Sequence, residues 1–210
     1  MPYRSTEKTR HKKDAKRTAL MQAAVQVFAR KGYHAATVRD VVAEAGVAVG
    51  TFYFYFPDKE TLFTYLYDET AEFLLQALAQ SLQRGGGLPR QFQAGLQAYL
   101  GLALFEPAVV QLLLLGGAGA VPALTARRVT FRDRLIALWQ QPLDEAVDRG
   151  DIPHQNTRRA AEALAGGFDE VVLNLLRQPS PEAESKSLVA DMVRFGLQAI
   201  GYQQIAPDAP

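Results

Sequence analysis

Residues 37 to 63, Thr-Val-Arg-Asp-Val-Val-Ala-Glu-Ala-Gly-Val-Ala-Val-Gly-Thr-Phe-Tyr-Phe-Tyr-Phe-Pro-Asp-Lys-Glu-Thr-Leu-Phe, leave the backbone few options. Thr37 is suited to cap a helix whose apolar face is Val38, Val41, Val42 and Ala45, and Gly46 supplies the left-handed residue that ends it. A second short helix begins near Ala48, carries Gly50, Thr51, Phe52, Tyr53, Phe54, Tyr55 and Phe56, and stops at Pro57, because the residue before proline is pushed out of the helical region. Two short helices around a glycine turn form a unit that sets a helix into the major groove of DNA.

The remaining chain is punctuated in the same way. Leu20, Ala23, Ala24, Val27 and Phe28 recur at helical spacing and predict a first helix closed by Gly32. Asp58 caps a fourth helix that carries Glu60 in its first turn and Leu62, Phe63, Leu66, Phe73, Leu74 and Leu78 along its length, up to the triplet Gly85, Gly86 and Gly87. Five further helices are predicted at roughly 90–105, 107–115, 122–149, 157–177 and 182–203, with proline, glycine or asparagine at nearly every junction. No stretch alternates as a strand would. The expected fold is all-α with about nine helices, an amino-terminal three-helix helix-turn-helix head followed by a helical body. The head is placed at residues 1–57, including a basic arm at 1–17, and the body at 58–210.

Charge is distributed to match. Residues 1–66 hold 11 Lys and Arg against 6 Asp and Glu, and the remainder holds 12 against 16. A basic head on a mildly acidic body suits a phosphate-binding unit on a scaffold, and a solvated charged terminus is the plainer alternative. The arm residues Arg4, Lys8, Arg10, Lys12, Lys13, Lys16 and Arg17 are open to both readings, a solvated end or contacts to phosphates and the minor groove.

At Thr37, Arg39, the Ala45-Gly46-Val47 turn, Gly50-Thr51-Phe52-Tyr53, Tyr55-Phe56, Lys59 and Leu62 the chain resembles the TetR family of transcriptional regulators. Three positions depart from the family pattern. Val42 stands where alanine is usual, Ala48 replaces a serine cap worth about 1 kcal/mol, and Val49 replaces a frequently polar residue. A valine there cannot donate to a base edge but can touch a thymine methyl.

The resemblance implies double-stranded DNA as partner, with contacts from Thr37, Arg39, Val49, Gly50, Thr51, Tyr53, Tyr55 and Lys59. Lys59 is a phosphate anchor by chemistry and by family match. Thr37, Thr51 and Tyr55 offer hydroxyls where the family contacts the backbone, Gly50 lets the main chain approach, and Tyr53 can serve a base or a phosphate. Arg39 is the long donor for guanine O6 and N7. Phe52 and Phe56 are expected to hold the recognition helix on the head, and the pattern does not decide Phe54.

Between Gln91 and Ala126 the only charged residue is Glu106, so two consecutive body helices must be largely enclosed. The large side chains Phe92, Tyr99, Leu102, Phe105, Leu113, Phe131, Leu135, Trp139 and Phe168 are candidate liners of a pocket for a small lipophilic effector, each also suited to plain core. Arg128 either meets an anionic group there or belongs to a solvated face with Arg127, Arg132 and Arg134. The resemblance further implies a homodimer, formed by the last two helices through Leu164, Gly167, Val171, Leu175, Leu188, Met192 and Phe195. It also implies that a tilt of the helix starting at Asp58 changes the spacing of two recognition helices, so that a ligand releases a repressor from a palindromic operator.

Other classes are disfavoured. No cysteine is present, and His11, His34 and His154 are far apart, so no metal and no cofactor is expected. Positions 107–126 lack charge but are broken by Pro107, Gly116, Gly117, Gly119 and Pro122, which argues against a spanning helix. With no signal-type apolar stretch among the first 30 residues, a cytoplasmic protein without a membrane partner is expected. Gly-Gly-Ala-Gly-Ala at 116–120 lacks the Lys-Ser/Thr ending of a phosphate loop, and no nucleophile elbow or paired catalytic carboxylates are found, so no enzymatic activity is expected. A helical enzyme or adaptor that uses an apolar cavity without binding DNA remains the rival, and neither predicts a steep salt dependence of DNA binding.

Overall fold

The computed structural model of the protein describes residues 7–83, 85–115 and 121–203, with side chains from residue 15 onward. Arg4, the side chains of Lys8, Arg10, Lys12 and Lys13, and the linker glycines Gly116, Gly117 and Gly119 lie outside the described residues. Among the described residues there are nine helices and no strand: α1 Glu7–Ala35, α2 Val38–Ala45, α3 Val49–Tyr55, α4 Lys59–Leu82, α5 Gly87–Phe105, α6 Pro107–Leu115, α7 Ala123–Asp148, α8 Thr157–Leu175 and α9 Pro181–Ala199. Cα packing divides the chain into two compact units, Met1–Thr70 with Ala108–Arg127, and Ala71–Pro107 with Arg128–Pro210. The division falls inside α4 and inside α7. None of the nine helices is long and apolar enough to cross a membrane alone.

The first unit is organised by its caps. Thr37 and Asp40 form a reciprocal capping box, in which the Asp40 N–H donates to Thr37 Oγ1 at 3.1 Å and the Thr37 N–H donates to Asp40 Oδ2 at 2.9 Å. Gly46, at φ 64°, closes α2 in the left-handed conformation the sequence predicts. Gly32, at φ 73° and ψ 164°, breaks the helical path of α1, and one more turn follows before Ala36. Leu20, Ala24, Val27 and Phe28 of α1, Val41 and Val42 of α2, Phe52 of α3 and Leu62 and Phe63 of α4 are buried. Phe28 meets Phe63 edge-on at 4.8 Å, a favoured aromatic geometry. The Asp58 carboxylate accepts the Thr61 N–H at 2.7 Å and so caps α4.

The second unit packs α5, α7, α8 and α9 with the later turns of α4. Trp139 is its centre, with Phe92 at 5.7 Å and Phe168 at 5.2 Å, both edge-on. Gly95 passes beside this ring: a Cβ there would lie 2.9 Å from the Trp139 indole and 3.0 Å from Leu82. α7 runs on through Pro142, which removes one i→i−4 hydrogen bond from its interior.

Candidate nucleic-acid interface

The short helix α3 presents two faces of opposite character. Phe52 is fully buried and Phe56, just beyond the last turn, is 3% exposed. These are the two rings expected to fix α3 to the head. On the other side Val49, Tyr53 and Phe54 are 43%, 56% and 64% exposed, with Gly50 exposed among them. At about 100° per residue these four positions span a continuous arc of roughly 140°. Ala48 is the residue before the helix and makes no side-chain cap, as its methyl dictates. Thr51 and Tyr55 flank the arc, half-buried.

Electrostatics on α2 were not foreseen from sequence. Its two carboxylates are each paired back to α1, Glu44 with Arg30 and Asp40 with Lys31, both at 2.7 Å. Lys31 and then Thr37, as donors, hold the Asp40 carboxyl down to about 2, and Arg30 holds that of Glu44 low. Both acids are therefore ionised and neutralised in place. Arg39 is exposed on the same helix and pairs with no other described residue, which leaves it as the outward charge of α2. The signal was available, because Asp40 and Glu44 are four apart and share a helix face opposite the adjacent cations Arg30 and Lys31.

Thr37 and Lys59, both proposed contact groups, make hydrogen bonds within the protein. The Thr37 hydroxyl donates to Asp40 Oδ2 at 2.9 Å. Lys59 Nζ donates to the carbonyls of Tyr33 at 2.7 Å and Ala36 at 2.8 Å, and lies 4.2 Å from the centre of the Tyr33 ring. An ammonium has three donors, so one remains for a phosphate. Lys59→Ala is expected to lower head stability by about 1.5–3 kcal/mol, the cost of losing charged hydrogen bonds to backbone carbonyls. Urea melts check this; an unchanged midpoint would show that water replaces the ammonium at no cost. From the basic arm, Arg17 lies 4.5 Å over the Tyr65 ring, and Lys16 is exposed.

In the second unit Phe92, Tyr99, Phe131, Leu135, Trp139 and Phe168 are all at most 3% exposed. Leu102 and Arg128 are half-buried. Two of the expected pocket liners need correction. Phe105, the last residue of α5 before Glu106 and Pro107, is 81% exposed and belongs to the surface, and Leu113 is buried and belongs to the first unit, whereas the aromatic liners belong to the second. A cavity touching this cluster, lined by Leu96, Leu100, Phe168, Val172, Val189 and Met192, holds about 10 Å³. That is no more than one water. A wider open groove of about 880 Å³ runs between α5 and α9, and Leu104, Val193, Leu197, Gln93, Gln97 and Lys186 are among its lining residues.

Three arginines of α7, Arg127, Arg132 and Arg134, are ion-paired. Arg127 meets Asp68 at 2.9 Å in the first unit, and in the second Arg134 meets Glu72 at 2.8 Å and Arg132 meets Asp169. Asp169 also accepts the Tyr99 hydroxyl. Burial raises the Asp169 carboxyl above its ordinary range, against the pull of Tyr99 and Arg132, and burial likewise drives the Tyr99 phenol well up. Tyr99 is thus tied to a polar triad that sequence reasoning did not include. Of the proposed interface residues, Leu164 and Leu175 are 4% exposed and belong to the core of one protomer, a correction that follows from their packing faces. Phe195 is 56% exposed, Gly167, Val171, Leu188 and Met192 are half-buried, and a Cβ on Gly167 would meet nothing within 4 Å.

Residues 20–66 match the family model described as bacterial regulatory proteins, tetR family, and residues 89–196 match that of the tetracyclin repressor-like C-terminal domain. The fatty acid metabolism regulator protein of Bacillus subtilis (strain 168) is 34% identical over 64 residues, 30% of this chain and 33% of that protein. The chain spans a third or less of the length of such curated relatives. A bacterial regulatory protein in the tetR family from Rhodococcus RHA1 superimposes with a TM-score of 0.77 at 19% identity, over 90% of this chain and 98% of that one. The transcriptional regulator FadR from Bacillus subtilis, crystallised in complex with stearoyl-CoA, gives 0.71 at 22% identity over 84% and 97%. Both structural likenesses concern the fold.

Proposed function

The chain belongs to the tetR family of bacterial regulatory proteins, and from that membership we propose that it is a DNA-binding transcriptional regulator, a repressor released from a palindromic operator by a small lipophilic effector. The observation that carries this reading is the outward arc of α3, Val49, Gly50, Tyr53 and Phe54, beside an exposed Arg39 on a helix whose carboxylates are already neutralised. A single short helix reads too few base pairs for specificity, so the acting species is a homodimer on half-sites about one helical turn apart. The exposed or half-buried Gly167, Val171, Leu188, Met192 and Phe195 on α8 and α9 support that assembly.

The effector binds among Phe92, Tyr99, Leu102, Phe131, Leu135, Trp139 and Phe168, with Arg128 beside them. Because these side chains fill their own space, binding requires them to part, and apparent affinity is reduced by the fraction of protein in the opened form. A fatty acyl compound fits this apolar lining, and the FadR relative crystallised with stearoyl-CoA supports that class. Helices α4 and α7 each run through both units, which gives a covalent route for effector binding to reach the head. Binding rather than catalysis is the activity, and the cytoplasm, where DNA is, is its place.

A gel-shift titration in salt with genomic fragments tests the proposal. A log–log slope of several phosphates is expected, and a slope near zero overturns it. In the same assay Arg39→Ala is expected to cost about 1–3 kcal/mol on the operator and to relax one base position. Equal loss on random DNA removes Arg39 from the base-reading set.

A further inference from the structure

The major-groove code of hydrogen bonds is read by few side chains: arginine or lysine at guanine, asparagine or glutamine at adenine, carboxylates at cytosine, and serine or threonine at several edges. Among the seven residues of α3 the only one of these is Thr51, half-buried outside the exposed arc. Its exposed arc holds a branched alkyl group at Val49, an open backbone at Gly50, a ring with one hydroxyl at Tyr53 and a bare ring at Phe54. Resting on the proposal that α3 enters the groove, we infer that this face reads its half-site through pyrimidine 5-methyl groups. Val49 and Phe54 close on thymine methyls at the two borders of the arc.

Gly50 supports the inference independently. It is not in the positive-φ region, and a Cβ on it would meet nothing within 4 Å, so neither the backbone nor packing requires a glycine there. At the second position of α3 glycine still gives up more backbone freedom on folding than alanine. A glycine that the fold does not need, set between the exposed rings of Tyr53 and Phe54, leaves a recess for a surface from outside the protein. A base edge bearing a methyl group fits it: one methyl rests over Gly50 against Phe54, and Val49 at the other border of the arc meets a second. The same face contains no group that would be left unpaired by an apolar contact, apart from the Tyr53 hydroxyl, which reaches a phosphate or a water.

Chemistry separates methyl reading from hydrogen-bond reading. Deoxyuridine keeps every hydrogen-bonding group of thymidine and lacks only the methyl, whereas 5-methylcytosine opposite guanine keeps the methyl and changes the hydrogen-bonding edge. The experiment selects a binding duplex from a random pool with the purified protein, then replaces thymines one at a time in each half-site. At the contacted positions deoxyuridine is expected to weaken binding about fourfold per methyl. Replacing that base pair with 5-methylcytosine·guanine is expected to bind more tightly than unmethylated cytosine·guanine by a similar factor. Val49→Ala and Phe54→Ala, at exposed positions, are expected to erase the thymine-over-deoxyuridine preference while the salt slope persists, and Gly50→Ala to raise the protein's melting temperature while weakening its binding to the duplex. Equal affinity for thymine and deoxyuridine duplexes at every position, with the salt slope intact, overturns the inference and leaves the regulator reading standing. Absence of any salt-dependent duplex binding overturns both.

Discussion

Phe52→Ala is expected to abolish specific DNA binding by detaching α3, although Phe52 itself, fully buried, presents nothing to a groove. The helix has 7 residues and no side-chain cap, far below the length at which an isolated helix persists in water, so its conformation depends on what anchors it. The anchors are Phe52 and Phe56, whose rings lie 6.0 Å apart. Truncating a buried phenylalanine costs about 3–5 kcal/mol, a large part of the 5 to 15 kcal/mol that typically separates folded from unfolded states. Phe54→Ala is the paired control for stability alone: its ring is 64% exposed, and surface changes of this kind stay within about 0.5 kcal/mol, so its melt is expected to stay in place while its gel shift loses only the methyl contact. Far-UV circular dichroism melts and a gel shift on the same samples check the pair. Retained specific binding by Phe52→Ala would show that α3 is held by other contacts.

The features legible in the sequence are those enforced within a few residues. Thr37 caps because a hydroxyl three residues before the Asp40 N–H has that geometry built in, and Gly46 stops α2 because its neighbours cannot easily adopt φ 64°. Alternation of rings and hydroxyls between Phe52 and Phe56 on so short a helix forces some inward and some outward, and Phe52 and Phe56 are the inward pair. What escaped depends on residues distant in sequence. Lys59 reaches carbonyls 26 and 23 positions away, and Tyr99 and Arg132 converge on Asp169 across 70 and 37 positions. Size and polarity do not carry that information. Phe105, Leu164 and Leu175 make the same point for apolar groups: hydrophobicity marks a residue as something to bury, but the face of its helix decides whether the surface, the protomer core or a partner receives it.

Trp139→Ala is the larger perturbation expected of the second unit, and it bears on what that unit senses. The indole is 1% exposed, meets Phe92 and Phe168 edge-on, and faces Gly95, so close that only a glycine fits opposite it. Its removal forfeits the transfer free energy of the ring and leaves a void that the surrounding helices close only in part, together about 3–5 kcal/mol. Apolar cavities of the order of 150 Å³ stay dry and accept small aromatic molecules. Indole added to the variant is therefore expected to raise its melting temperature with concentration, by mass action, and to leave the unaltered protein unchanged. If the aromatic cluster is also where an effector enters, indole on the variant, but not on the parent, should shift DNA affinity, since a ligand acts only through unequal affinity for two forms. Thermal melts and gel shifts over an indole series separate the outcomes. Rescue of stability with no change in DNA affinity would make Trp139 a core residue alone and move the search for the effector to the groove between α5 and α9.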